Sequence, residues 1–466
     1  MPVNRRDFLQ AVGATAVALT APTSFGDQTP PKQPNIIMLV ADDHRGDAMG
    51  FLGHPDVKTP HMDDMAAKGT SFPKSFNMGG NQGGVCVPAR AMIHQGRPYF
   101  RAPDQMKGNA VIGETLHQAG YDTFAAGKWH NGANSFQRSF ASGATIFFGG
   151  MSQDHNHTPI RDYDPSGKYP DSAIRKTEKF DTEVFADSAI DFLKHRADKG
   201  NDKPFFLYVA FTTPHDPRDP PKEYRDHYDP AKLQLPGNFL PDHPFDNGEM
   251  KIRDELLLPR PLQIDAIKKE LQGYYGLITL IDDQIGRIRQ TLDEIKLSQN
   301  TILIYTGDHG LSLGSHGLLG KQNLYQEALS TPFLIVGPGI PAGKRSDAMV
   351  LKQDYFPTLC DLTGTAKPAT VQGQSFAGEF TGQSFQKRDS IFAGYRHLQR
   401  GYFDGQWKFI QYQVNGVKTV QLFDLKNDPL ETKNLAAAAE NKQDIERLAE
   451  LMHESQKRDG DNLKLL

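Results

Sequence analysis

The chain has 466 residues, with 52 Lys and Arg against 56 Asp and Glu, a formal net charge of −4 and 38% hydrophobic residues. That length accommodates one large domain plus a smaller one, and the near-neutral balance offers no nucleic-acid surface. Two cysteines exclude a disulfide framework and leave one bridge at most.

The first residues read as an address rather than as fold. Asn4-Arg5-Arg6-Asp7-Phe8-Leu9-Gln10 precedes a mildly apolar run from Ala11 to Ala21. Two adjacent arginines before Phe-Leu resemble a twin-arginine export signal, assigned to residues 1–27; an ordinary secretory signal is the competing reading. The run is too short and too weakly apolar to span a bilayer. No cysteine precedes Cys86, so no lipoprotein anchor is placed there. The expectation is a folded protein passed by export machinery to the periplasm or beyond, with no stable membrane anchor.

Asn35-Ile36-Ile37-Met38-Leu39-Val40-Ala41 is a nearly continuous apolar run, the pattern of a strand buried on both faces. It ends in Asp42-Asp43, two carboxylates that repel unless a cation lies between them; a solvated turn with an aspartate cap is the alternative. Thr59 to Gly69 reads as a helix with Pro60 in its entry and Gly69 at its end. Asn77 to Gly84 is glycine-rich and is expected to be a mobile loop leading to Cys86.

Cys86-Val87-Pro88-Ala89-Arg90, continuing to Gly96-Arg97, is expected to run from that loop into a helix, because proline is tolerated in a first turn. Cys86 then stands at the N-terminus, where free N–H groups and the dipole favour an anion. Arg90, four residues on, shares its face. The pairing suggests chemistry on a phosphate or sulfate; a buried structural cysteine and a bridge to Cys360 are the competing readings. The stretch from Cys86 to Arg97 resembles the signature of the type I sulfatases of the alkaline phosphatase-like superfamily. In that family the cysteine of Cys-x-Pro-x-Arg is oxidised enzymatically to formylglycine, and its hydrated aldehyde is the nucleophile. Ala89, His94 and Gln95 depart from the commonest signature, which has Ser, an apolar residue and Thr there. The resemblance implies a formylglycine-generating maturation enzyme as a partner and makes Asp42-Asp43 the first metal-ligand pair.

Tyr121 to Ala126 reads as a short strand ending in Gly127-Lys128-Trp129-His130. Lys128 and His130, two residues apart on an extended segment, point the same way. Gly-Lys-Trp-His resembles a second signature of the family, in which the lysine contacts sulfate and the histidine acts on the formylglycine hydroxyl. Residues 133–172, which include His155, His157 and Arg161, read equally as a binding loop or a solvated insertion. A helix from about Thr182 to Arg196 follows. The apolar run Pro204–Phe211 then leads into Thr213-Pro214-His215-Asp216-Pro217. Flanking prolines restrict His215 to an extended path, and the family has a histidine here close to the leaving-group oxygen. Within the Pro- and Asp-rich residues 217–262, Leu235–Phe239 and Pro244–Glu249 resemble a segment of polysaccharide-desulfating members. A helix from about Leu262 to Ile295 reads as scaffold.

The run Thr301–Tyr305 ends in Gly307-Asp308-His309-Gly310. By resemblance, Asp308 and His309 are the second metal-ligand pair, and Lys321 is the lysine bridging sulfate and leaving oxygen. Tyr325-Gln326-Glu327 and Ser330 depart from the usual Tyr-Glu-Glu and Arg. Open α/β sheets bind ligands at the carboxyl ends of their strands. One sheet would therefore bring Asp42-Asp43, Lys128 and His130, His215, Asp308-His309 and the Cys86 helix start to a single rim. Pro332–Pro338 is the next strand, and Lys352–Gly364 a helix with Cys360 in the core. Short runs at Ser390–Tyr395, Gly401–Phe403, Trp407–Gln413 and Val420–Asp424 suggest a small antiparallel sheet, followed by a helix over Gln443–Lys457.

The expected fold is α/β. An alkaline phosphatase-like large mixed β-sheet sandwiched by helices occupies residues 34–375, and a smaller C-terminal α+β domain carrying an antiparallel sheet occupies 376–466. The expected activity is hydrolysis of a sulfuric ester, on a sulfated carbohydrate. Asp42, Asp43, Asp308 and His309, with an oxygen of modified Cys86, are expected to hold a cation. Oxygen ligands favour Ca²⁺ or Mg²⁺ over Zn²⁺, and the family most often uses Ca²⁺. Arg90, Lys128 and Lys321 would face the charge of the transition state. His215, with Lys321, would protonate the leaving alcohol, and His130 would remove the second hydroxyl proton. Phosphodiester or phosphonate hydrolysis, and binding of sulfated glycan by an unmodified Cys86, are the competing readings.

Overall fold

Alternation along one strand organises the main sheet. In the computed structural model, which describes residues 33–463, the strand Asn35–Asp42 is buried at every position. Ile37, Leu39 and Ala41 enter a core shared with Phe185, Ala189 and Leu193 of the helix Asp181–Asp198 and with Tyr274, Ile278, Ile281 and Ile285 of the helix Ile264–Glu294. Ile36, Met38 and Val40 point the other way. They meet Ile93 of the helix Cys86–Gln95, Leu116 of Ile112–Gln118, and Phe356 and Leu359 of Tyr355–Thr363. Helices therefore cover both faces, and the near-continuous apolar composition of the strand follows from that.

The sheet has eight strands, in the spatial order Lys344–Arg345, Thr70–Ser71, Phe333–Val336, Thr301–Gly307, Asn35–Asp42, Phe205–Pro214, Asp122–Lys128 and Ser142–Phe147. The last five are mutually parallel, and Phe333–Val336 runs antiparallel to Thr301–Gly307, so the sheet is mixed. The four apolar runs singled out in the sequence are adjacent and parallel, and their carboxyl ends share one edge.

A second sheet is the antiparallel meander Ile391–Tyr395, Gln399–Phe403, Trp407–Val414 and Val417–Asp424. The helix Lys442–Asp459 packs on it through Leu448 and Met452. The same core takes Val85, Ala89 and Met92, so the Cys86–Gln95 helix is clamped between two cores and all ten of its residues are buried.

The glycine-rich approach to Cys86 is not the mobile loop expected. Gly79–Gly80 pairs in parallel with Gly394 and Tyr395, adding a fifth strand to the second sheet. Asn77 to Gly80 are buried, and Asn77 N–H donates to the Leu329 carbonyl. Glycine serves close approach here, not freedom: at φ +86°, a Cβ on Gly79 would fall 2.1 Å from the Gly394 carbonyl oxygen. Gly79→Ala is expected to destabilise the protein by about 2–3 kcal/mol, read as a lower denaturation midpoint.

Residues 133–172 contain the helix Ala133–Ser139 and the edge strand Ser142–Phe147. Their polar residues tie the segment down: His155 is buried against Asp181 at 3.0 Å, His157 pairs with Asp154, and Arg161 with Asp171. Both cysteines are free thiols, so no bridge joins Cys86 to Cys360, and Cys360 lies in the core as expected. Among the described residues no helix is long and apolar enough to cross a membrane. The export-signal reading of residues 1–27 lies outside them.

Candidate active site

The shared strand edge gathers all ten candidate residues. Asp42 closes its strand. Asp43 follows in a left-handed turn (φ +70°) held by the long helix: Tyr274 Oη donates to the Asp43 carbonyl at 2.7 Å and accepts from Arg45 N–H at 2.9 Å. A tyrosine read as scaffold thus fixes a site residue. Asp308 N–H continues the ladder to the Ala41 carbonyl at 3.0 Å, and its Oδ1 accepts from His309 N–H at 2.9 Å. Lys128 is the last residue of its strand. His130 lies beyond it at φ +61°, so a turn, not the alternation of an extended segment, brings it beside Lys128. Its ring packs against Gly150, where a Cβ would lie 2.5 Å away. His215 follows Phe205–Pro214, and Cys86 opens its helix.

Each aspartate is matched by one permanent cation. Arg90 Nε reaches Asp308 Oδ2 at 3.1 Å, Lys321 Nζ reaches Asp43 Oδ1 at 2.9 Å, and Lys128 Nζ is hydrogen-bonded to Asp42 Oδ2. Arg90 also donates to the Lys128 carbonyl at 2.9 Å, while its Nη2 is buried without a partner among the described residues. Lys128 Nζ lies 3.6 Å from Cys86 Sγ, and His130 Nδ1 lies 3.1 Å from it on another side. His215 Nε2 is 3.8 Å from Asp43 Oδ2, and its Nδ1 is held by the Asp216 carbonyl at 2.9 Å. Nine of the ten residues are buried, and His130 alone is partly exposed.

The carboxylates and His309 form a donor set that fits a divalent cation. Ligand atoms of Asp42, Asp43, Asp308 and His309 all lie within 4.8 Å of one another, and Cys86 groups with Asp42 and His309 in the same way. Asp42 Oδ1 and His309 Nε2 face each other at 3.8 Å, both buried and neither hydrogen-bonded. Orphaned polar atoms at such depth are costly unless something binds them. Burial raises the Asp42 carboxyl, yet Lys128, His215, Arg90 and Lys321 together outweigh it and hold the acid well below its usual range. Burial likewise opposes charge on Lys321, but Asp43 and Asp254 hold the ammonium well above its ordinary value. The His130 ring is pushed down to about 3 by burial and by Lys128, which keeps it neutral.

The signature departures have physical counterparts. His94 is fully buried, with Trp129 and Tyr208 rings at 4.7 and 4.8 Å and no partner for either ring nitrogen. Burial, then Arg90, pushes it down to about 3, so it packs as a neutral aromatic where an apolar residue is usual. Gln95 bridges to the Pro103 carbonyl at 2.9 Å and accepts from Asn109 at 2.8 Å. Ala89 fills the core beneath the second sheet.

Sequence reasoning missed the segment that braces the site. Glu255 accepts the N–H groups of Leu319 and Gly320, both at distances down to 2.8–2.9 Å, immediately before Lys321. Arg253 clasps Asp216 beside His215, and Asp254 accepts from Gln322 beside Lys321 at 2.8 Å. Asn131 anchors the turn after His130 to the Val87 carbonyl at 3.0 Å. These partners lie far apart along the chain, so no local pattern marks them.

The comparisons agree with this geometry. The family model described as Sulfatase matches residues 34–365, and that of the N-sulphoglucosamine sulphohydrolase C-terminal region matches 314–458. An arylsulfatase of Clostridium perfringens is 27% identical, over 90% of this chain and 94% of its own. The N-acetylglucosamine-6-O-sulfatase of Bacteroides thetaiotaomicron is also 27% identical, over 92% and 88%. A solved structure bound to its substrate D-glucosamine-2-N,6-O-disulfate superposes with a TM-score of 0.78 at 24% identity, covering 92% of this chain and 99% of that one.

Proposed function

The chain belongs to the sulfatase family and hydrolyses sulfuric esters, and we propose that its substrate is a sulfated carbohydrate and its nucleophile Cys86 converted to formylglycine. The observation that carries the assignment is the placement of Cys86 Sγ, at a helix start, between His130 Nδ1 at 3.1 Å and Lys128 Nζ at 3.6 Å. Conversion by a maturation enzyme would supply a hydrated aldehyde, and hence a hydroxyl nucleophile, at that point.

Asp42, Asp43, Asp308 and His309 would hold a divalent cation, and the oxygen-rich donor set favours Ca²⁺, with Mg²⁺ the alternative. Such a cation supplies positive charge at the sulfate oxygens and favours ionisation of the nucleophile. The charge balance supports it: three aspartates cancel Arg90, Lys128 and Lys321, so a net attraction for a sulfate ester needs an added cation.

The chain's own groups then divide the work. Lys128 and Arg90 Nη2 present fixed positive charge where the transition state is negative, in a water-poor site where such charge acts strongly. His215, oriented by the Asp216 carbonyl, stands ready with Lys321 to pass a proton to the leaving alcohol. His130, neutral and hydrogen-bonded to the residue-86 side chain, accepts a proton there. The Arg5-Arg6 pair supports twin-arginine export to the periplasm after folding.

The assignment is tested by comparing 4-nitrophenyl sulfate with aryl phosphodiesters and sulfated sugars. Sulfate release from a sugar is expected, and faster phosphodiester turnover would overturn it. Chelation provides a second check. Removing the cation is expected to lower activity by about 10³-fold or more, with recovery on adding Ca²⁺. Elemental analysis is expected to find one such ion per chain, and full activity after exhaustive chelation would contradict this.

A further inference from the structure

Access to Cys86 passes the one candidate residue that is not buried, His130. The other side of this entrance is the Gly83-Gly84 turn: a Cβ on Gly84 would lie 3.8 Å from His130 Cε1, and one on Gly83 would meet Ile252 and, at 3.4 Å, Arg396 Nη2. Whatever stays outside when a sulfate reaches Cys86 lies over these residues. Two arginines stand there, and they differ in what holds them. Arg253 has both terminal nitrogens on Asp216 and a further bond to Asp254. Arg396, from the end of the Ile391–Tyr395 strand, pairs through Nη1 with Glu249 Oε1 at 2.7 Å. Its Nε and Nη2 have no partner among the described residues, and its side chain is 38% exposed. Its backbone is fixed to the same turn, N–H to the Gly80 carbonyl at 2.8 Å, and Glu249 is in turn held by Tyr395 Oη at 3.0 Å. The guanidinium is thus aimed by a buried carboxylate and keeps a fork of free donors at the entrance, the geometry suited to a planar anionic oxygen pair.

We propose that Arg396 is a specificity-determining residue that receives a second anionic group, carboxylate or sulfate, on the sulfated substrate. This rests on the carbohydrate reading above. Its test is calorimetric binding in full-length Cys86→Ala protein, which turns nothing over, loaded with Ca²⁺. The ligands are N-acetylglucosamine-6-O-sulfate, glucosamine-2-N,6-O-disulfate and a uronate disaccharide of the 6-O-sulfate. At least one doubly anionic ligand is expected to bind about 10- to 100-fold more tightly than the monosulfate. The arm that shows the preference identifies the anion as sulfate or carboxylate. Adding Arg396→Ala is expected to bring that ratio close to one, and Arg396→Lys to restore part of it. A ratio near one before substitution, absence of binding by all three ligands, or a ratio that survives Arg396→Ala would each overturn the proposal. Turnover of 4-nitrophenyl sulfate by unsubstituted protein is measured alongside. Its absence would bring down the function assigned above, while the binding ratio stays readable by itself.

Discussion

Cys86→Ala is expected to lower sulfate release by about 10⁵-fold, the scale on which loss of a nucleophile acts, while leaving the fold intact. Cys86 is 2% exposed, and its helix is gripped along its length by two cores, so removing one sulfur costs only about 1–2 kcal/mol. A circular dichroism spectrum and a denaturation midpoint check that the protein is folded, and a sulfate assay reads the loss. Cys86→Ser is the sharper variant. Serine offers a hydroxyl in the same reach of His130 and Lys128 but no second hydroxyl for breakdown. It is expected to gain one sulfo group from substrate and stop, which intact-protein mass reads directly. Steady turnover by either variant would place the nucleophile elsewhere.

Asp308→Ala is expected to cost about 3–5 kcal/mol of stability, because it leaves Arg90 as an unpaired buried charge. Both members of that pair are essentially unexposed, at 1% and 0%. Asp308 also accepts the Asp43 and His309 N–H groups, so the turn that sets the cation donors loosens with it. Urea denaturation in excess chelator separates this from loss of a bound ion, since the Arg90 contribution persists there. Asp171→Ala is the contrast: its pair with Arg161 is 95% exposed on the acid side, and the change is expected to stay within about 0.5 kcal/mol. A loss below about 1 kcal/mol for Asp308→Ala would show that Arg90 finds other partners.

The legible part of the site was the part carried by local pattern. Four apolar runs, each ending in polar residues, predicted a common rim, and the structure sets those runs side by side and parallel. The long helices were legible for the same reason: Ile264–Glu294 and Asp181–Asp198 sustain an apolar face over many turns. Short elements were not. Ser142–Phe147 buries three of its six residues and lies at the sheet edge, so it lacks the continuous apolar run of its neighbours. Gly79–Gly80 has no side chain to show a pattern, and its composition suggested mobility where contact with Gly394 requires glycine. The brace from Glu249 to Glu255 was invisible because its partners, Tyr395, Arg396, Asp216, Gln322 and the Leu319-Gly320 backbone, are distant in sequence. His94 looked polar in the signature and proves to be an aromatic filler, a distinction that depends on the rings around it.

The central claim, that the side chain at position 86 is a formylglycine nucleophile, is tested most directly by the mass of the peptide containing Cys86, from protein made with its maturation machinery. That peptide is predicted to be about 18 Da lighter than the cysteine form, as sulfur gives way to an aldehyde oxygen. An intact thiol in protein that still releases sulfate would contradict it.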